Sequence, residues 1–258
     1  MRIKAIRPAS KQNTAPDFQE WSIKVAKSYA SPGTEIDVAF LDAGPNVGPM
    51  VGHINEARIQ SSAPFLIQQV IRAEEEGYDA VWTTGEYDVG VEIARHLVKI
   101  PVIDSGLTPL HVATLLGDRI CLLIIEDSVR TYVRKLLKRW GMTDFVTSIK
   151  AWNISVGEAW DRKSEIKDKT LSICKQAIKE EDAQVILPFC AVFIPFILTA
   201  EEIEAELDVP VIDPGAVCVK MAEMFVNLDI HRSQKAYPFT PQGKLLFQYA
   251  QASAIGVE

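Results

Sequence analysis

The 258-residue chain lacks the short motifs that announce a nucleotide cofactor or an activated serine. No G-x-G-x-x-G, no G-x-x-x-x-G-K-[ST] and no G-x-S-x-G occurs anywhere in it. Dinucleotide binding, phosphate-loop chemistry and serine hydrolysis therefore lose their usual sequence support. Cysteine is scarce. Cys121, Cys174, Cys190 and Cys218 form no C-x-x-C pair, and with His53, His96, His111 and His231 they show no metal-ligand spacing, so no metal is expected. Positive charge is also short: 27 Lys and Arg against 34 Asp and Glu leave a formal charge of −7. That balance offers no attractive field to a phosphate backbone, so nucleic acid is not an expected partner. Arg2, Lys4 and Arg7 are followed by no apolar stretch of signal-peptide length, which predicts a cytoplasmic protein with reduced thiols.

Long uncharged runs are rare too, with one exception. From Ala183 to Ala200 there is no charge, but Pro188 and Pro195 interrupt the run and Glu201, Glu202, Glu204 and Glu206 follow it. The pattern predicts a buried strand leading into a helix rather than a membrane span.

What the chain does have is a globular composition, 48% hydrophobic and 24% charged. Apolar runs rich in β-branched residues alternate with stretches of helical period, which predicts an α/β fold of parallel sheets. The expected strands are Ile3–Ile6, Glu35–Leu41, Ala80–Thr84, Val102–Ile103, Ile120–Ile125, Phe145–Trp152, Val185–Phe189 and Val211–Ile212. Helices are expected over Pro16–Tyr29, Ala63–Glu76, Val89–Lys99, Pro109–Leu116, Ser128–Trp140, Lys163–Glu180, Ala200–Leu207 and Ala216–Leu228. Gly77, Gly117 and Gly141 stand where left-handed caps are common, and from Asp229 onward a tail should lie over the surface.

An internal echo sharpens this picture. Residues 77–85 (GYDAVWTTG) lead through a helix to Pro101-Val102-Ile103-Asp104, and residues 182–190 (DAQVILPFC) lead likewise to Pro210-Val211-Ile212-Asp213. Two such copies predict two similar Rossmann-like lobes related by a pseudo-two-fold axis, with residues 1–107 and 212–258 in the first and 108–211 in the second. Ligands of open parallel sheets bind beyond the carboxyl ends of the strands, so the site is expected between the lobes. Gly85 and Cys190 are the matching positions there.

Cys190 is the leading candidate for chemistry, because it ends a buried strand just before an apolar helix start whose N–H groups would favour a thiolate. A buried structural thiol is the alternative reading, and it is the one that fits Cys121, Cys174 and Cys218. His53 lies on a Gly-containing loop where it could titrate, or be merely solvated. Glu86 and Tyr87, next to Thr84 and Gly85, could enter the cleft from the opposite wall, Glu86 as an acid or base or simply as an acidic first helical turn. Arg7, Pro8 and Ser10 end the first strand, where Arg7 could hold a carboxylate or an amide.

The ordered motifs M-R-I-x-x-I-x-P at the start, P-G-T-E-I at Pro32, G-H-x-x-E-A at Gly52, G-x-D-A-V at Gly77, P-V-I-D at Pro101, V-P-V-I-D at Val209 and V-K-M-A-E at Val219 together resemble the aspartate/glutamate/hydantoin racemase superfamily, most of all its hydantoin-racemase branch. The resemblance implies a cofactor-independent enzyme acting on a small carboxylate or cyclic amide, usually as a homo-oligomer. It also implies two cysteines facing each other across the substrate, one removing the α-proton and the other returning one. In this chain Cys190 matches one of them and Gly85 falls at the other. Arylmalonate decarboxylases have a similar Gly/Cys pattern, with a single cysteine protonating an enolate held by backbone N–H groups, here those of Glu86, Tyr87 and Ala191. Ile124 and Ile125 stand where the racemase pattern has polar residues, which implies a more apolar pocket. Racemisation, decarboxylation and non-catalytic binding of a small acid remain three readings of this sequence.

Overall fold

The computed structural model describes residues 1–41, 55–154, 162–190, 192–245 and 247, with the side chains of Asn13, Val192 and Phe196 left aside. Strands form where β-branched and aliphatic residues run together: β1 (Arg2–Ser10), β2 (Glu35–Leu41), β3 (Ala80–Thr83), β4 (Val102–Asp104), β5 (Ile120–Ile124), β6 (Val146–Ala151) and β7 (Val185–Pro188). The principal helices are α1 (Pro16–Ser28), α2 (Glu56–Gln60), α3 (Ala63–Glu75), α4 (Val91–Ala94), α5 (Leu107–Ala113), α6 (Arg130–Trp140), α7 (Lys163–Glu181), α8 (Ala200–Glu204) and α9 (Pro214–Asn227).

All strand pairs are parallel. One sheet has the order β2-β1-β3-β4 and the other β6-β5-β7, and Val211 bridges to Ile186 at the outer edge of β7. The second sheet thus repeats the order of the first, with Val211 standing where β4 stands, as the echo in the sequence predicts. β3, β5 and β7 are buried at every position, which explains their continuous hydrophobicity: helices cover both faces. One apolar core runs through both sheets, and a smaller one packs α1 and α9 against the first sheet around Trp82, Ile103 and Val219.

Three expectations are corrected. The helix expected over residues 89–99 shrinks to Val91–Ala94: it starts from Gly90 at φ +73°, and Arg95 turns away to donate to the Val102 carbonyl. No regular α-helix follows Cys190. The segment Val192–Ile197 is broken by extended dihedrals at Ile194, next to Pro195, and α8 begins only after Thr199, whose side chain and Glu202 form a capping box. Gly77 and Gly141 do have positive φ, but Gly117 does not, and a Cβ there would come within 3.0 Å of Gln184. The tail crosses the first sheet's flank as expected, with Arg232 donating to the carbonyls of Val98 and Ile100 and Lys244 paired with Glu74. No described helix is long and apolar enough to cross a membrane.

Glu223, buried on α9, ties that helix to the turn before β2. It accepts from the Ser31 N–H and hydroxyl, each at 2.7 Å, and from Lys220 at 3.1 Å. Burial alone would raise its pKa, but these bonds outweigh it and hold the carboxyl down at about 2. Because the folded pKa lies below the unfolded one, its contribution is complete above the normal glutamate pKa and disappears as pH falls through that value toward about 2. Glu223→Gln is expected to lose on the order of 2 kcal/mol at neutral pH and to flatten the acid limb of stability, read by urea unfolding between about pH 7 and 3.

Candidate active site

The carboxyl ends of β1, β3 and β7 bring most of the anticipated residues to one buried place. β1 pairs with β2 in register up to Arg7 and resumes only at Ser10, so Pro8 and Ala9 form a bulge. Proline suits that bulge because it has no N–H to leave unpaired. Arg7 is held under it at 8% exposure, and Ser10 is buried at the same strand end. Beyond β3, Thr84 continues the ladder by donating its N–H to the Ile6 carbonyl. Glu86 follows at 6% exposure.

Gly85 is where the repeat diverges. A Cβ there would lie 2.9 Å from Cγ of Pro8 and 3.5 Å from Val89, so the Pro8 ring fills the space a side chain would need. Gly106 packs closer still against the neighbouring peptide, where a Cβ would run into the Glu86 carbonyl. The Gly85–Glu86 backbone is therefore clamped between Pro8 and the turn after β4.

Cys190 lies two residues past β7 and is 5% exposed. Arg7 is near enough to both Cys190 and Glu86 for their charges to act on it. Burial pushes the Arg7 guanidinium down to about 10, and electrostatic attraction, first to Glu86 and then to Tyr29 and Cys190, opposes that fall. The attraction is mutual, so the guanidinium opposes the cost of a buried negative charge at Cys190. The other thiols are different. Burial raises Cys121 to about 11, and it raises Cys174 and Cys218 as well, in keeping with their reading as core residues.

Two polar atoms at this place, Nε of Arg7 and the Thr84 hydroxyl, are buried with no hydrogen-bond partner among the described residues. Buried polar atoms of this kind call for a partner. Glu86 is not an acidic first turn. That role goes to Asp88, whose carboxylate accepts from the N–H groups of Val91 and Glu92 while pairing with Arg139.

Tyr87 contributes more than its backbone. Its phenol donates to the Phe189 carbonyl at 3.2 Å, in the peptide unit that carries the Cys190 N–H, and its ring meets that of Phe189 edge-on at 5.6 Å. A residue from one sheet thus holds the peptide that presents the sulfur from the other. Tyr132 on α6 supports this grip by donating to the Tyr87 carbonyl at 3.1 Å and accepting from Gln60 at 2.6 Å. Sequence reasoning passed over Tyr132. The available signal was a phenol on the apolar face of α6 beside Val133, Leu136 and Leu137, where a buried hydroxyl requires a partner. His53 and Ala191 lie outside the described residues. Among the described residues no cluster of three His, Cys, Asp or Glu is placed to hold a metal ion.

The clamp at Gly85 carries a prediction. Gly85→Cys alone is expected to destabilise by about 1–3 kcal/mol through overpacking against Pro8. Adding Pro8→Ala should return much of that loss, as read by denaturant midpoints. Equal stability of the single variant and the wild type would disprove the clamp.

Residues 24–222 match the Asp/Glu/hydantoin racemase family. The chain is 30% identical to a hydantoin racemase of Pseudomonas sp. (strain NS671), over 93% of this chain and 92% of that one. It also superposes on the allantoin racemase of Klebsiella pneumoniae with a TM-score of 0.80 at 26% identity, covering 93% and 94% of the two chains. An arylmalonate decarboxylase shares the fold with a TM-score of 0.59 at 17% identity, over 90% of this chain and 96% of that one. The chain belongs to the Asp/Glu/hydantoin racemase family and is an enzyme of the isomerase class.

Proposed function

We propose that this enzyme inverts a carbon acid of the hydantoin or amino-acid-derivative type without a cofactor, using Cys190 and Glu86 as unlike acid/base partners. The observation that carries the proposal is the burial of one thiol, one carboxyl and one guanidinium together at the strand ends, with Gly85 in place of a second sulfur. A neutral site results if Cys190 and Glu86 share one proton opposite the Arg7 cation. In one direction the Cys190 thiolate removes the α-proton, the C–H electrons pass to the carbonyl oxygen as an enolate, and the Glu86 carboxylic acid protonates the other face. The enzyme then holds a thiol and a carboxylate, which is the state that runs the reverse reaction. Backbone N–H groups of Glu86, Tyr87 and Ala191 would stabilise the enolate oxygen, and Arg7, Pro8, Ser10 and Thr84 would line the substrate site. His53 is held in reserve as an alternative proton donor. The proposal places residues 1–107 with 212–258 on one side of the cleft and 108–211 on the other, in a cytoplasmic homo-oligomer.

The lone sulfur also supports a second reading, in which carbon dioxide leaves a malonate-type substrate and Cys190 protonates the enolate on one face. One experiment separates them. Single enantiomers of 5-substituted hydantoins and of allantoin in deuterium oxide should lose optical rotation while gaining one deuteron at the stereocentre. Carbon dioxide release from an arylmalonate, with no exchange in the hydantoins, would favour the lyase. Thermal stabilisation by these compounds with no turnover at all would leave a binding protein.

A further inference from the structure

A cavity of about 240 Å³ opens on the far edge of the first sheet and shares no lining residue with the candidate active site. Its floor is β4 and the start of α5, one wall is α9, and the tail closes it with Ile230, Arg232 and Tyr237. Two guanidiniums flank the Tyr237 ring, Arg95 at 6.0 Å and Arg232 at 5.9 Å from its centroid. They differ in one respect. Arg95 is fully engaged by Glu92, Asp104 and the Val102 carbonyl. Arg232 uses Nη2 on the carbonyls of Val98 and Ile100, while its Nη1 is buried with no hydrogen-bond partner among the described residues.

Asp104 is the one carboxylate in the lining, and it already accepts from Arg95, the Gly106 and Leu107 N–H groups and Thr108. Glu92 and Glu74 lie nearby but are paired with Arg95 and Lys244. Arg232 and Lys99 therefore line the cavity without an acidic partner of their own, and His111 adds an imidazole. The rest of the lining is apolar, chiefly Val102, Leu107, Met221, Phe225 and Ile230.

We propose that this cavity is a binding site for a compact apolar carboxylate, whose charged end pairs with the Arg232 guanidinium while its body packs between α5 and α9. Size agrees. A dry cavity of roughly 150 Å³ accepts benzene, so this one has room for a ring and a carboxylate. Chemistry agrees as well: a guanidinium without a carboxylate of its own matches a ligand carboxylate, and partial burial strengthens the pairing. The inference does not depend on which reaction the other site performs.

Titrating sodium benzoate into the full-length protein by calorimetry tests it. Saturable one-to-one binding is expected, weakened about tenfold or more by Arg232→Gln and by replacing benzoate with neutral benzyl alcohol. Ile230→Trp, at a partly exposed position on the cavity mouth, should block binding by filling the space and serves if Arg232→Gln folds poorly. Arg7→Met should leave benzoate affinity unchanged, which separates this site from the other cleft. Absence of saturable binding, indifference to both Arg232→Gln and Ile230→Trp, or loss in Arg7→Met would overturn the proposal.

Discussion

Cys190→Ala is expected to lower kcat by about 10²–10⁴-fold with little change in KM, because a positioned acid/base contributes that much to a proton transfer and little to ground-state binding. The thiol is almost wholly buried, so truncation leaves a small void worth on the order of 1 kcal/mol, and the variant should remain folded. Deuterium wash-in at the substrate carbon should fall in parallel with turnover, since both need the same C–H bond to break. A serine at this position keeps the shape but is a much weaker acid, and should recover little. Wild-type turnover in Cys190→Ala would remove the sulfur from the mechanism.

Arg7→Met should cost about 10²–10³-fold in kcat/KM, the scale of losing one preorganised charge from a dry site. Two consequences follow from its position among Glu86, Tyr29 and Cys190. Without the cation, thiolate at Cys190 is less favoured, so the ascending limb of the pH–rate profile should move to higher pH. Glu86 also loses its opposite charge, and because the pair must keep one shared proton, the descending limb should move to higher pH as well. Arg7→Lys should recover part of the rate and most of the profile, which a purely packing role would not do. An unshifted profile in Arg7→Met would show that the guanidinium has no electrostatic part in the chemistry.

Much of this architecture could be read from periodicity. The second strand, Glu35–Leu41, was expected with its observed bounds, and α1, α3 and α7 end within a residue of expectation. In each case the pattern is long and one face is buried, so local preference and packing agree. Prediction failed where tertiary contacts override local pattern. The stretch from Val89 to Lys99 has helical spacing, but Asp88 and Gly90 adopt positive φ and Arg95 is drawn to Asp104, leaving a single turn. Residues after Cys190 are as apolar as a buried helix, yet Pro195 and the break at Ile194 set a different path. Helix α2 is too short to have a readable period.

The site was legible to a similar degree. A strand-end cysteine and its glycine counterpart could be found by comparing the two copies of the repeat. The reason for that glycine could not, because the obstruction comes from Pro8, far away in sequence. The sequence points to the Tyr87 backbone, while the work of its phenol depends on where Phe189 lies across the sheets.

The repeated strand order has a consequence for asymmetry. Two identical half-length chains joined about a two-fold axis must present the same residue at both facing positions, so a sulfur on one side dictates a sulfur on the other. Covalent joining of two repeats lifts that obligation: here a thiol, Cys190, follows β7, while the matching place after β3 is a glycine whose side-chain space the Pro8 ring fills. A tandem polypeptide can thus differentiate the two faces of its ligand one residue at a time, a freedom denied to any symmetric pair.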